Sequence, residues 1–125
     1  MPKSYDMDNK VINSFLRNIA YVPAATVYLA LFTTATSPSA PGTEVTGGSY
    51  ARQPVTFSAP VSGATASSSS ETFPNMPAAT ITHAALMDAA AGGNMLYQGP
   101  LLTPVTTTAG LNLVVPVGDV TVTET

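Results

Sequence analysis

Two side chains stand out as candidates for chemistry in a chain poor in charge. Arg52 lies in "GTEVTGGSYARQPVTF", residues 42–57, and His83, the sole histidine, lies in "TITHAAL". Histidine catalysis needs a nucleophile and an acid within reach of the ring. Ser and Thr are plentiful, but there is no nucleophile elbow and no second His. One His with scattered carboxylates also has no recognisable metal-ligand spacing. The absence of Cys removes disulfides, thiolate catalysis and every Cys-based zinc site. His83 is therefore expected to pack in a strand and bond to backbone or a neighbour.

The seven acids are Asp6, Asp8, Glu44, Glu71, Asp88, Asp119 and Glu124, and outside the Asp6/Asp8 pair none are close in sequence. Nothing in their spacing supports a glycosidase-type carboxylate pair. "GTEVTGG" has glycines but not the strand-to-helix context of a phosphate loop. A catalytic or phosphate-binding Arg52 lacks partner residues, and the residues point away from an enzyme. Arg52 reads instead as a strut, whose five donors can tie carbonyls or a carboxylate where a strand leaves its loop. Tyr50 would share its face. Glu44, Asp88 and Asp119 are the candidate carboxylates, with Asp88 or a cluster of backbone carbonyls favoured over Glu44.

Composition narrows the partners. Among 125 residues 45% are apolar but only 9% charged, against roughly 25% charged in a typical soluble domain. A surface with so few charges suits a subunit covered by neighbours better than a free monomer. The four basic residues, Lys3, Lys10, Arg17 and Arg52, are scattered at a net charge of −3. They form no basic patch, which excludes nucleic acid as a partner. "MPKSYDMDNK" does not read as a signal peptide, and the longest apolar stretch, Ile19 to Phe32, is too short for a span and contains Pro23. The expectation is a soluble, single-domain protein made in a cytoplasm, with no membrane partner.

The elements that must position these residues are one helix and a run of strands. Val11, Ile12, Phe15, Leu16 and Ile19 recur at spacings of three and four, giving one amphipathic stripe with Asp6 as its cap. Residues 1–23 are expected to form this docking helix and its linker, the stripe seated on its own β-domain or a neighbour. Residues 24–125 are expected to form the β-domain. "TVYLALFT" is apolar on both faces, with Val27, Leu29 and Leu31 on one and Tyr28, Ala30 and Phe32 on the other. Such a strand must be buried on both sides, by a second sheet or by a subunit contact, so Val27, Tyr28, Leu29, Leu31 and Phe32 are candidate interface residues. "SYARQPVTF" reads as a strand that Pro54 confines to an edge or a bulge. "SAPVSGATASSSSE" reads as a flexible polar loop. "ATITHAALMD" and "MLYQGPLL" form a hairpin about Gly92-Gly93-Asn94. Leu111, Leu113, Val115 and Val117 alternate as in a half-buried strand, Gly118-Asp119 breaks the phase, and Val120 and Val122 resume it. The fold class expected is mainly β: an antiparallel sandwich or jelly roll of about seven to eight strands with one N-terminal helix.

Taken in order, "DNKVINSFLRN", "PAATVYLALFTTAT", "GTEVTGGSYARQPVTF", "TFP", "ITHAALMDAAAGGNMLYQGPLLTPVT" and "GDVTV" resemble a family of small virion proteins of tailed bacteriophages. Members are often labelled tail fibre proteins, and some resemble capsid cement or decoration proteins. The resemblance covers nearly the whole chain, although "PNMPAATITH" lacks the Trp-Gly expected before its Thr-x-Thr-His strand. It implies no enzymatic activity and no cofactor. The first expectation is a capsid decoration subunit at the virion surface, a homo-oligomer (a trimer) bound to the major capsid protein and stabilising the assembled head by mass action. The alternative is a tail fibre or baseplate component contacting the host receptor. A sugar-binding sandwich ranks last, since the chain has no Trp platform.

Overall fold

The computed structural model describes residues 1–124; the expected domain end at 125 falls just outside them. Helix α1 (Tyr5–Leu16) precedes eight strands: β1 (Val27–Phe32), β2 (Gln53–Val55), β3 (Ala64–Ala66), β4 (Glu71–Met76), β5 (Ala79–Met87), β6 (Met95–Thr107), β7 (Leu111–Val115) and β8 (Thr121–Thr123). A four-stranded antiparallel sheet runs β2-β1-β5-β6, and two-stranded sheets pair β3 with β8 and β4 with β7. The architecture is sandwich-like and mainly β. One face of the large sheet, with Leu29, Leu31, Ile81 and Leu86, packs on Phe73, Met76, Val120 and Val122 of the smaller layer. The other face carries a second cluster of Ala30, Phe32, Ala85, Met87 and Met95.

Strand β1 corrects the interface reading. Leu29, Leu31 and Phe32 are buried within a single copy of the chain, and Val27 and Tyr28 are half-buried. The strand sits between β2 and β5, so its two apolar faces serve the chain's own two clusters rather than a subunit contact.

The helix stripe is also corrected. Ser4, not Asp6, is the N-cap: its Oγ accepts from Met7 N at 3.1 Å. The same hydroxyl donates to the Met95 carbonyl, and Ser4 N donates to Leu96 O at 2.9 Å, pinning the helix start to β6. Asp6 and Asp8 lie in the first turn, where the dipole favours them. The inner side carries the half-buried Met7, Val11 and Ser14, and Asp8, Lys10 and Asn13 are half-buried as well. Tyr5, Ile12 and Leu16 fall within about 40° of one another on the outer side. Phe15 is 81% exposed and Leu16 80%, and no residue of α1 is buried. Of the expected stripe, Val11 is half-buried, while Ile12, Phe15, Leu16 and Ile19 are exposed. The helix ends well before Pro23 because Asn18 turns left-handed (φ 54°), and Arg17 N and Ile19 N both bond back to Asn13 O.

Three further differences have local causes. The strand expected over Ser49–Phe57 is reduced to Gln53–Val55, at the sheet edge that Pro54 tolerates. Upstream of it the Tyr50 hydroxyl, rather than backbone, accepts from Leu31 N at 3.0 Å. The polar loop after Phe57 contains β3, paired with β8, and its Ser67 is buried, the Oγ accepting from Gly118 N and Val120 N. Val117 falls in the turn after β7 and is exposed.

Candidate functional site

Arg52 stands where the chain enters β2, and the loop after β1 brings it a carboxylate. A backbone bridge between Phe32 and Glu44 returns that loop to the sheet. Arg52 Nε donates to Glu44 Oε2 and Nη2 to Glu44 Oε1, each at 2.9 Å. Nη1 donates to the carbonyls of Ala89 at 2.9 Å and Gly92 at 2.8 Å, in the β5–β6 turn. Tyr50 OH donates to Glu44 Oε2 at 2.7 Å, and its ring stacks on Phe73 at 5.9 Å. Three separate segments (the 33–48 loop, the entry to β2 and the β5–β6 turn) are thereby held at one guanidinium.

The partner is Glu44, not the favoured Asp88. Asp88 is taken up locally, its Oδ1 accepting from Asn94 N at 2.6 Å and Oδ2 from Asn94 Nδ2 at 3.2 Å. That bonding closes the hairpin turn, whose Gly92 and Gly93 carry φ of 63° and 72°. The expected carbonyl cluster is present as Ala89 and Gly92, so Asp88 shapes the turn that presents these acceptors.

The electrostatics match this geometry. Burial pushes the Glu44 carboxyl up, but hydrogen bonds from Arg52 and Tyr50 outweigh it and hold the group below its ordinary value. The hydrogen bond to Glu44 raises Arg52, and burial raises the Tyr50 phenol. The Arg52 side chain is 8% exposed, and its bonds engage Nε and both terminal nitrogens. The arrangement is a structural clamp.

A second cluster ties the chain ends together. Lys3 Nζ donates to Glu124 Oε2 at 2.8 Å, and Tyr97 OH donates to Glu124 Oε1. The hydrogen bonds from Lys3 and Tyr97 hold Glu124 low. His83, half-buried on β5, meets Thr82 Oγ1 at 2.9 Å through Nδ1. No group of three or more His, Cys, Asp or Glu able to hold a metal forms among the described residues, and no helix among them is long and apolar enough to cross a membrane.

What remains unmatched is apolar surface. The outer face of α1 is exposed, as are Ile19 and Val22 in the segment after the helix. Elsewhere a groove of about 820 Å³ opens between β6 and β7. Its lining includes Leu31 and Ile81 of the core, Leu101 of β6, Leu113 and Val115 of β7, and Asp119. The helix stripe was visible as periodicity, though not the direction it faces. The groove had no sequence signal, because it depends on how far two sheet edges stand apart.

No curated protein matches the chain. Residues 2–123 match the family described as podophage GP4 fiber I protein gp80, a stretch that spans the helix, every strand and the Arg52 clamp. On that match the chain belongs to the podophage GP4 fiber I protein gp80 family, a family of phage virion structural proteins.

Proposed function

We propose that the chain is a fibre subunit of the podophage virion, acting by burying its exposed apolar surface against neighbouring protein and not by turnover. The observation that carries this is the outer face of α1. Phe15 and Leu16 on it, and Val22 in the segment that follows, are each at least 80% exposed, while the core is closed without them. A free protein gains nothing from such a patch, whereas a subunit that buries it gains about 25 cal/mol per Å². The polar clamps support the same role by holding loops rigid, so that little ordering entropy is spent on assembly.

The family description favours a fibre over the capsid-cement reading of the sequence. Both place the protein on the virion, and they differ in partner: a fibre neighbour and the host receptor, or the major capsid protein. Quantitative mass spectrometry of purified particles, with gold-labelled antibody located by electron microscopy, separates them. Label on appendages, with copy number far below that of the major capsid protein, is the expected result. Label spread over the head in near-stoichiometric copies would establish decoration instead, and particles free of the protein would remove both.

A further inference from the structure

We propose that copies of this chain assemble head to tail, the exposed face of α1 from one copy seating in the β6–β7 groove of the next, with Arg17 of the first paired to Asp119 of the second. The proposal rests on the fibre reading above and names the partner of its apolar surface: a second copy.

Charge provides the first argument. Of the four basic residues, Lys3 pairs with Glu124, Lys10 with Asp6 at 2.6 Å, and Arg52 with Glu44. Arg17, directly after the exposed Leu16, bonds Asn13 Oδ1 at 2.9 Å and meets no carboxylate among the described residues. On the acidic side Glu71 is buried and Asp88 is held by Asn94, while Asp6, Asp8, Glu44 and Glu124 each have a cation within 4.0 Å. Asp119 is exposed, lines the groove, and has no side-chain bond or ion pair among the described residues. The unpaired cation thus borders one apolar surface and the unpaired exposed anion borders the other. Opposite charges placed this way set register and steer encounter.

The groove suits a helix better than a strand. Strand β6 is the outer strand of its sheet, and the N-terminal segment hydrogen-bonds to it only as far as Gln98, whose N donates to Pro2 O at 3.0 Å. Beyond that point Pro100 and Pro104 supply no N–H, and the register against β5 shifts between Ile81 and His83. A strand added there would meet a broken ladder. Side chains at helical spacing, Tyr5, Ile12 and Leu16 flanked by Phe15, need only an apolar trough.

The two surfaces lie on different parts of the chain. The start of α1 is fixed beside Leu96 and Pro38, whereas the groove runs from Met1 and Pro2 along the far part of β6 and against β7. A contact between unlike patches repeats from copy to copy, closing a ring if the rotation permits and extending into a filament if it does not.

Sedimentation velocity of the purified full chain over a concentration series tests this, using Arg17→Glu and Asp119→Lys. Both positions are exposed, so circular dichroism should show each variant folded. Wild type should self-associate, each single reversal should weaken association at least about tenfold, and an equimolar mixture of the two should restore it. The mixture succeeds because each variant's helix then meets the complementary charge in the other's groove. A wild type that stays monomeric at every concentration would overturn the proposal, as would reversals that leave association unchanged or a mixture that fails to recover. Association lost in Leu16→Ser but untouched by either reversal would mean a symmetric helix contact and overturn it too. The virion location is read from labelled particles, so it can stand when this contact fails.

Discussion

Glu44 and Arg52 form a two-toothed ion pair, both contacts at 2.9 Å, and it links a loop to a strand entry eight residues later. Arg52→Ala would leave Glu44, its side chain 25% exposed, and the Ala89 and Gly92 carbonyls without their donor. Loss of a fully buried pair costs about 3–5 kcal/mol, and water reaching Glu44 lowers the expected loss to about 2–3 kcal/mol. Arg52→Lys should recover little, because one ammonium cannot reproduce the planar fork. Urea denaturation of the three proteins checks both statements, and a lysine variant as stable as wild type would remove the bidentate geometry from the account.

Two glutamates should give pH limbs of opposite sign. Glu44 is held below its ordinary 4.5. Its contribution is therefore present above that value and is lost as pH falls through the lower folded value. Glu71 is 2% exposed, and among the described residues its Oε1 has no hydrogen-bond donor, while Oε2 accepts from Ser69 at 2.8 Å. Burial raises it above 4.5, only partly offset by Ser69, and no charged group contributes. Stability from this group is full below the unfolded value and falls as pH rises through the folded one. Glu71→Met should therefore be more stable than wild type at pH about 8, by about 1–3 kcal/mol, with the gap closing toward pH about 4. Thermal melts across that range test it, and a gap that widens in acid would reverse the assignment.

Much of this architecture was legible because it depends on local pattern. Alternation marked β7, the two apolar faces of "VYLALF" marked a strand buried on both sides, and Gly92-Gly93-Asn94 marked the hairpin. What escaped depends on choices between distant partners. Asp88 and Glu44 are both plausible anchors for Arg52, and the decision lies in the Asn94 bonds that occupy Asp88. The helix stripe told of amphipathicity, but Ser4, bonded to Met95 and Leu96, sets the rotation that turns Ile12 and Leu16 outward. Ser67 looked like low-complexity loop, yet it is 3% exposed and caps the turn before β8. A hydroxyl carries no periodic signal of the backbone groups it will meet.

The reversed roles of the helix and β1 predict a contrast between two phenylalanines. Phe15 is 81% exposed and Phe32 1%. Phe15→Ser should change folding stability by no more than about 0.5 kcal/mol, while Phe32→Ala should cost about 3–5 kcal/mol by opening a cavity in the second cluster. Midpoints of urea unfolding decide this directly. Loss of stability in Phe15→Ser under conditions where the chain is monomeric would show that α1 seats its stripe on its own domain.

Ser4 offers a test of how the helix is held. Its Oγ both accepts from Met7 N and donates to the Met95 carbonyl, at a site 2% exposed. Ser4→Ala removes a cap worth about 1 kcal/mol and strands a buried carbonyl that costs about 1–3 kcal/mol more. Ser4→Asp keeps a capping oxygen but has no hydroxyl proton for Met95, and it places a charge in a buried site, so it should rescue nothing. Asp6→Asn, by contrast, removes no cap and loses only an exposed pair with Lys10, expected to cost no more than about 0.5 kcal/mol. Hydrogen exchange of the first-turn amides reads the cap apart from global stability. In Ser4→Ala the Met7 amide should exchange much faster while amides in β1 keep their relative protection, and if Asp6→Asn instead produces that pattern, the cap belongs to Asp6 after all.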